Sequence, residues 1–136
     1  MKIVLIACAS RKYSTKAKAK NLYISPLFKL GMKYAHTLNP DKIFILSAKY
    51  GLLNPETEIE PYNLTLNKMP KIQREIWAKE VLGKLGEESN IKNDEFIFLA
   101  GQRYREYLIP HLTDYEVPMQ GLGIGKQLKF LTERLK

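Results

Sequence analysis

Glu60 is followed by Pro61, Tyr62 and Asn63, which sets a carboxylate beside an aromatic ring and an amide. Proline biases the residue before it toward an extended backbone. A carboxylate held in this way can stabilise an oxocarbenium-like centre or activate a water, the chemistry of glycosidic bond cleavage. The same glutamate, in an acidic stretch with Glu56 and Glu58, also reads as a solvated surface residue. Tyr50, Tyr62 and Tyr104 offer rings on which a base could stack, or core edges with a wet hydroxyl. Cys8 ends an apolar run, and Arg11 and Lys12 behind it would favour a thiolate. A small buried packing residue is the other reading of that cysteine. His36 and His111 fall inside expected helices, away from strand-end loops, and with Cys8 they make no convincing metal set.

The run Gly121-Leu122-Gly123-Ile124-Gly125-Lys126 has the composition of a loop that holds an anion on free backbone N–H groups at a helix start. Lys126 would add charge. A Walker A loop needs Ser or Thr where Gln127 stands and glycine in place of Gln120. A dinucleotide fingerprint needs glycine at Lys126 and a place after the first strand. ATPase and NAD chemistry are excluded on those residues, and no cofactor is implied. A tight turn and an anion contact both remain open for the loop.

Positioning these residues takes strands and helices in alternation. Ile3–Cys8, Ile43–Leu46 and Phe96–Leu99 are continuous apolar runs, the pattern of strands buried on both faces. Tyr115–Met119 is a weaker fourth strand, pushed toward an edge by Pro118. Ser25-Pro26 opens a helix carrying Leu27, Leu30, Tyr34 and Leu38. Pro70 opens a second, with Ile72, Ile76, Val81, Leu82 and Leu85 on its apolar side and Trp77 in packing. Gln102–Leu112 is a third helix, and Ile124, Leu128, Leu131 and Leu135 mark the last. Tyr50–Met69 shows no clear regular element. The expectation is one α/β domain over 1–136, a three-layer sandwich on a mainly parallel sheet of about four strands. In such sheets ligands bind outside the carboxyl ends of the strands. Each strand here is followed by a polar segment: Cys8–Lys12, Ser47–Leu53, Gly101–Arg105 and Gln120–Gln127. The expected ligand contacts are Cys8, Ser10, Lys12, Ser47, Lys49, Tyr62, Asn63, Gly101, Tyr104, Arg105, Gln120, Gly121, Gly123, Gly125 and Lys126. Glu60 and Tyr50 are the catalytic candidates.

The net charge of the 136 residues is +8, from 22 basic and 14 acidic residues. Residues 1–50 hold ten Lys or Arg against Asp41, and residues 51–136 hold twelve against thirteen acids, so the excess lies in the first part. Arg11, Lys12, Lys16, Lys18 and Lys20 fall within ten residues. The stretch reads either as a solvated loop or as an edge facing phosphate. One cysteine excludes an internal disulfide framework. The longest apolar run is about half the roughly 18 residues that a membrane-spanning helix needs. A cytoplasmic protein without membrane contact is the expectation.

Ala7–Lys12 with Asn21–Phe28, Leu46–Leu53 with Ile59–Asn63, Leu99–Gly101 with Tyr104-Arg105, and Gly121–Gly125 together resemble a family of small bacterial and archaeal domains of unknown function. A weaker similarity reaches the YaaA peroxide-stress proteins through Ser47-x-x-Tyr50-Gly51-Leu52-Leu53 and Pro61-Tyr62. The resemblance implies a Rossmann-like domain and, by analogy, DNA binding or action on modified bases. Many members have histidine where Tyr50 stands. Tyrosine there can donate a hydrogen bond but is a poor base near neutral pH. The function expected is nucleic-acid or nucleotide processing, with N-glycosidic cleavage as its enzymatic form. A non-enzymatic DNA-binding module or a nucleotide-binding sensor is the alternative.

Overall fold

A computed structural model describes residues 1–8 and 12–136. In chain order the elements are β1 (Lys2–Ala7), β2 (Ala17–Lys18), α1 (Ala19–Leu22), α2 (Pro26–Thr37), β3 (Lys42–Ser47), β4 (Gly51–Leu53), β5 (Glu58–Ile59), α3 (Lys71–Glu88), β6 (Glu95–Leu99), α4 (Gln102–Arg105), β7 (Asp114–Glu116) and α5 (Ile124–Arg134). The main sheet has five strands in the order β4-β3-β1-β6-β7, and β2 and β5 form a separate antiparallel ribbon. β1 is parallel to β3 and β6, and β6 is parallel to β7. Their carboxyl ends therefore share one edge of the sheet, as the alternating sequence pattern requires.

Period-two alternation along the strands sorts the core into two layers. Ile3, Leu5, Phe44, Leu46, Phe96 and Phe98 face α3, where Trp77, Ala78, Val81 and Leu85 meet them. Val4, Ile6, Ile45, Ile97 and Leu99 face the other way, toward Leu22, Phe28 and Ala35. The last helix, α5, joins that second layer through α2, with Phe130 edge-on to Tyr34 at 5.8 Å between ring centroids. Ser25 caps α2, its hydroxyl accepting from the Phe28 N–H, and Pro26 follows in the first turn.

The sheet departs from expectation at its edges. The strand beyond the expected four is β4, a three-residue antiparallel return from β3. It closes a hairpin inside the segment read as Ser47–Leu53, with Gly51 at a φ of 72°. The Tyr115–Met119 strand is instead β7, Asp114–Glu116, an exposed edge strand that stops before Pro118. The expected helix over Gln102–Leu112 is four residues of α4 and a separate 3₁₀ turn at Ile109–His111, which contains Pro110. α3 buries Trp77, Val81 and Leu85 as expected and departs from expectation only in its first turns. Ile72 and Ile76 are 70% and 57% exposed, while Arg74 is buried with Trp77. The guanidinium of Arg74 is held there by Glu106 and the Met69 carbonyl. Tyr50–Met69 is not irregular throughout, since it holds β4, β5 and a 3₁₀ turn at Leu66–Lys68.

Gly31 sets how closely α2 approaches β1. A Cβ at that position would lie 3.0 Å from the end of the Ile6 side chain. Gly31→Val should destabilise the fold by about 1–3 kcal/mol through overpacking. Chemical denaturation would measure it, and a variant as stable as the parent would show that this helix–strand spacing is slack.

Candidate functional site

The chain leaves β1 toward the layer of α2 and leaves β6 toward the layer of α3, because Phe28 packs in the one and Tyr104 and Leu108 in the other. Adjacent strands whose connections depart to opposite faces leave a crevice at their carboxyl ends. A cleft of about 640 Å³ opens at that place. Ile6, Leu99, Phe28, Met119 and Leu128 contribute apolar wall, and Ser25, Thr65, Asn67, Gln102 and Gln127 contribute polar groups. Arg105 is the one charged residue among the described residues that line it. One of its guanidinium nitrogens donates to the Ala100 carbonyl at 2.8 Å, which fixes the side chain against the end of β6.

The glycine-rich run reaches this cleft through Gly121, Leu122 and Ile124. Gly121 has a φ of 81°, so a glycine-requiring turn is present. Gly123 is the N-cap of α5 and supplies no side-chain cap. The first N–H groups of a helix have no partner within it, so the start of α5 presents bare donors at the rim. Gly125 and Lys126 follow in its exposed first turn. The Gln127 side chain braces the turn by donating to the Leu122 carbonyl at 2.8 Å.

Beside the cleft lies a polar cluster that ties distant segments together. The Tyr62 hydroxyl is 2.6 Å from the Tyr23 hydroxyl and 2.8 Å from Ser47 Oγ. Ser47 is fully buried, accepts from the Tyr50 N–H at 3.0 Å, and gives its carbonyl to the Trp77 indole at 2.8 Å. The Lys12 ammonium lies 4.6 Å from the Tyr62 ring centroid and 5.8 Å from that of Tyr23, within cation–π range. Cys8 joins cluster and cleft, with its Sγ 3.4 Å from the Tyr104 hydroxyl. That hydroxyl also receives the Leu66 N–H at 3.3 Å. Burial lowers the pKa of Lys12 and raises those of Tyr62 and Tyr104, and it pushes Tyr23 from 10.0 up to about 12.

Of the expected ligand contacts, Cys8, Gly101, Tyr104, Arg105 and Gly121 line the cleft. Lys12, Ser47 and Tyr62 stand in the adjoining cluster. Lys49 and Tyr50 turn to a second groove against α3, with the Lys49 ammonium 5.3 Å from the Tyr50 ring centroid. Glu60 is exposed and outside the cleft lining, and its backbone carbonyl accepts from the Tyr50 hydroxyl at 3.4 Å. Asn63, Gln120, Gly123, Gly125 and Lys126 are exposed, and none of them lines the cleft. Ser10 lies outside the described residues, as does Arg11 of the basic stretch. Residue-type reasoning missed Tyr23, Thr65 and Gln127. Tyr23 sits just before the Ser25-Pro26 helix start, inside the Asn21–Phe28 run that carries the family resemblance.

A tyrosine whose pKa is raised by folding contributes stability that is fully present below its unfolded value and is lost as pH rises through the folded one. For Tyr23 that window runs from 10.0 to about 12. The melting temperature should fall steadily across it. Tyr62→Phe leaves Tyr23 and Ser47 each short of a partner and should cost about 1–3 kcal/mol near neutral pH. Thermal melts over the pH series check both, and an unchanged Tyr62→Phe melt would remove the network from the account of stability.

A family model described as "Family of unknown function (DUF6884)" matches residues 3–133, and the chain belongs to that family. No match was found among curated proteins or solved structures. No described helix is long and apolar enough to cross a membrane.

Proposed function

We propose that this member of the DUF6884 family recognises nucleotides, with the ligand seated in the cleft between the ends of β1 and β6. The observation that carries the reading is a cleft of nucleotide-accommodating size in which Arg105 is the one charged residue among the described lining. Apolar wall such as Phe28, Leu99 and Met119 suits a base and sugar, and Arg105 with the uncapped start of α5 suits a phosphate. A Rossmann-like ancestry for the fold and a distant kinship with the YaaA proteins belong to the same proposal. Glycosidic cleavage is the less supported form of it. Its carboxylate would be Glu60, whose exposed side chain is not part of the cleft lining.

Thermal-shift and calorimetric titrations with nucleoside monophosphates and triphosphates, with the matching nucleosides and inorganic phosphate as controls, test the reading. A nucleotide at one hundred times its dissociation constant should add about 2.7 kcal/mol of stability. Arg105→Ala should weaken binding at least about tenfold, the loss of a hydrogen bond to a charged group. Unchanged affinity in that variant, or no stabilisation by any nucleotide, would overturn the proposal. Free base released by the wild type and not by Glu60→Gln would replace recognition with cleavage.

A further inference from the structure

A third concavity, of about 820 Å³, lies on the outer side of α2 and the β2–β5 ribbon. Lys16, Lys18, Lys20, Lys29 and Lys33 line it against one carboxylate, Glu58. Lys18 and Lys20 already meet Glu56, at 3.2 and 2.6 Å. Lys29, Lys33 and His36 recur at helical spacing on α2, so they form one row along its length. Tyr13 stands in the same groove with 53% of its surface exposed, an aromatic ring in water among ammonium groups. Phe28 lines both this groove and the cleft, so the two concavities lie on either side of the first turn of α2.

From that juxtaposition we infer that the ligand is a single-stranded or locally unpaired polynucleotide. Its phosphates follow the row from Lys16 to Lys33, one base stacks on Tyr13, and an adjoining nucleotide occupies the cleft. The inference rests on the nucleotide reading of the cleft and names the polymer that delivers it. Phosphates at regular intervals match a row of cations, and an exposed ring among cations is the usual platform for an unpaired base. An acidic peptide would satisfy the lysines but gives no reason for the ring or for the neighbouring cleft.

Fluorescence anisotropy with a labelled single-stranded oligonucleotide tests this, using the full chain, a triple charge reversal of Lys16, Lys29 and Lys33 to Glu, and Tyr13→Ala. The reversal should lower oligonucleotide affinity at least about tenfold and flatten the salt dependence by about two units of slope. Tyr13→Ala should cost at least about fivefold. Binding of a mononucleotide should be unchanged in both variants and lost in Arg105→Ala. If mononucleotides bind but the reversal leaves the oligonucleotide unaffected, the polymer inference fails and the cleft reading stands. If the oligonucleotide binds through the lysines while no mononucleotide binds, the cleft reading fails and with it the placement of a nucleotide there. Equal affinity for a polyglutamate of the same length would overturn the polynucleotide assignment, and so would binding that ignores salt.

Discussion

Strand β1 has a parallel neighbour on each edge and a helical layer on each face, so the side chains of Ile3 to Ile6 have no solvent side. The strand can end only by handing the chain to one layer, and it hands it to that of α2. Strand β6, beside it, hands the chain to the other. The crevice between them follows from the topology before any polar residue is considered. What the sequence adds is the choice of residues at that opening: Cys8 at the end of β1, Gly101 and Arg105 after β6, and Gly121 at the turn into α5.

The hydroxyl network beside the cleft solves a second problem. Residues 50–69 return from the sheet edge across the strand ends, and loops carry backbone groups that burial leaves in need of partners. Tyr62 fastens the loop to Tyr23, which precedes α2, and to Ser47 at the end of β3. Tyr104 does the same for Leu66 from the far side. Two tyrosines thus hold one loop at two points, and the cleft wall gains fixed positions for Leu64, Thr65 and Asn67. Of the two roles open to Tyr62 and Tyr104 in the sequence, base stacking or a core edge with a polar hydroxyl, the contacts seen here are those of fasteners, with Tyr62 edge-on to Tyr23 and Tyr50.

The central strands were legible because a strand buried on both faces needs an unbroken apolar run, and little else of that length does. The edges were legible in part. Pro118 marked the fourth strand as an edge, and β7 is one, though it covers Asp114–Glu116, while β4, turning back at Gly51 with a positive φ, is too short for Leu52 and Leu53 to mark a strand. On α3 the expected Trp77, Val81 and Leu85 are buried, and only its first turns were misread: Ile72 and Ile76 look apolar in sequence, while the buried position there is Arg74, a charge made tolerable by Glu106 and a carbonyl. Convergence of the strand-end segments was legible from parallel topology alone. Which of their side chains share a cavity was not, because Ser47 and Tyr62 meet through a loop whose path is set by non-local contacts. Glu60, the residue with the most suggestive neighbours in sequence, is held by its backbone, and its side chain is exposed to solvent.

The charge asymmetry of the chain acquires a division of labour from this geometry. A guanidinium beside apolar walls interacts with an anion in a medium of lower effective dielectric than water, so one charge there discriminates strongly. Lysines along an exposed groove act in water, where each is worth little and salt screens it within about 10 Å at moderate ionic strength. Their strength is number and arrangement. Lys18 and Lys20 are partly neutralised by Glu56, whose carboxyl is held below its usual range by them, Lys20 foremost. The field of the groove therefore comes chiefly from Lys16 and the row on α2. That row lies on the helix whose first turn also walls the cleft, so a long, weak, salt-sensitive surface lies beside a short, sheltered one.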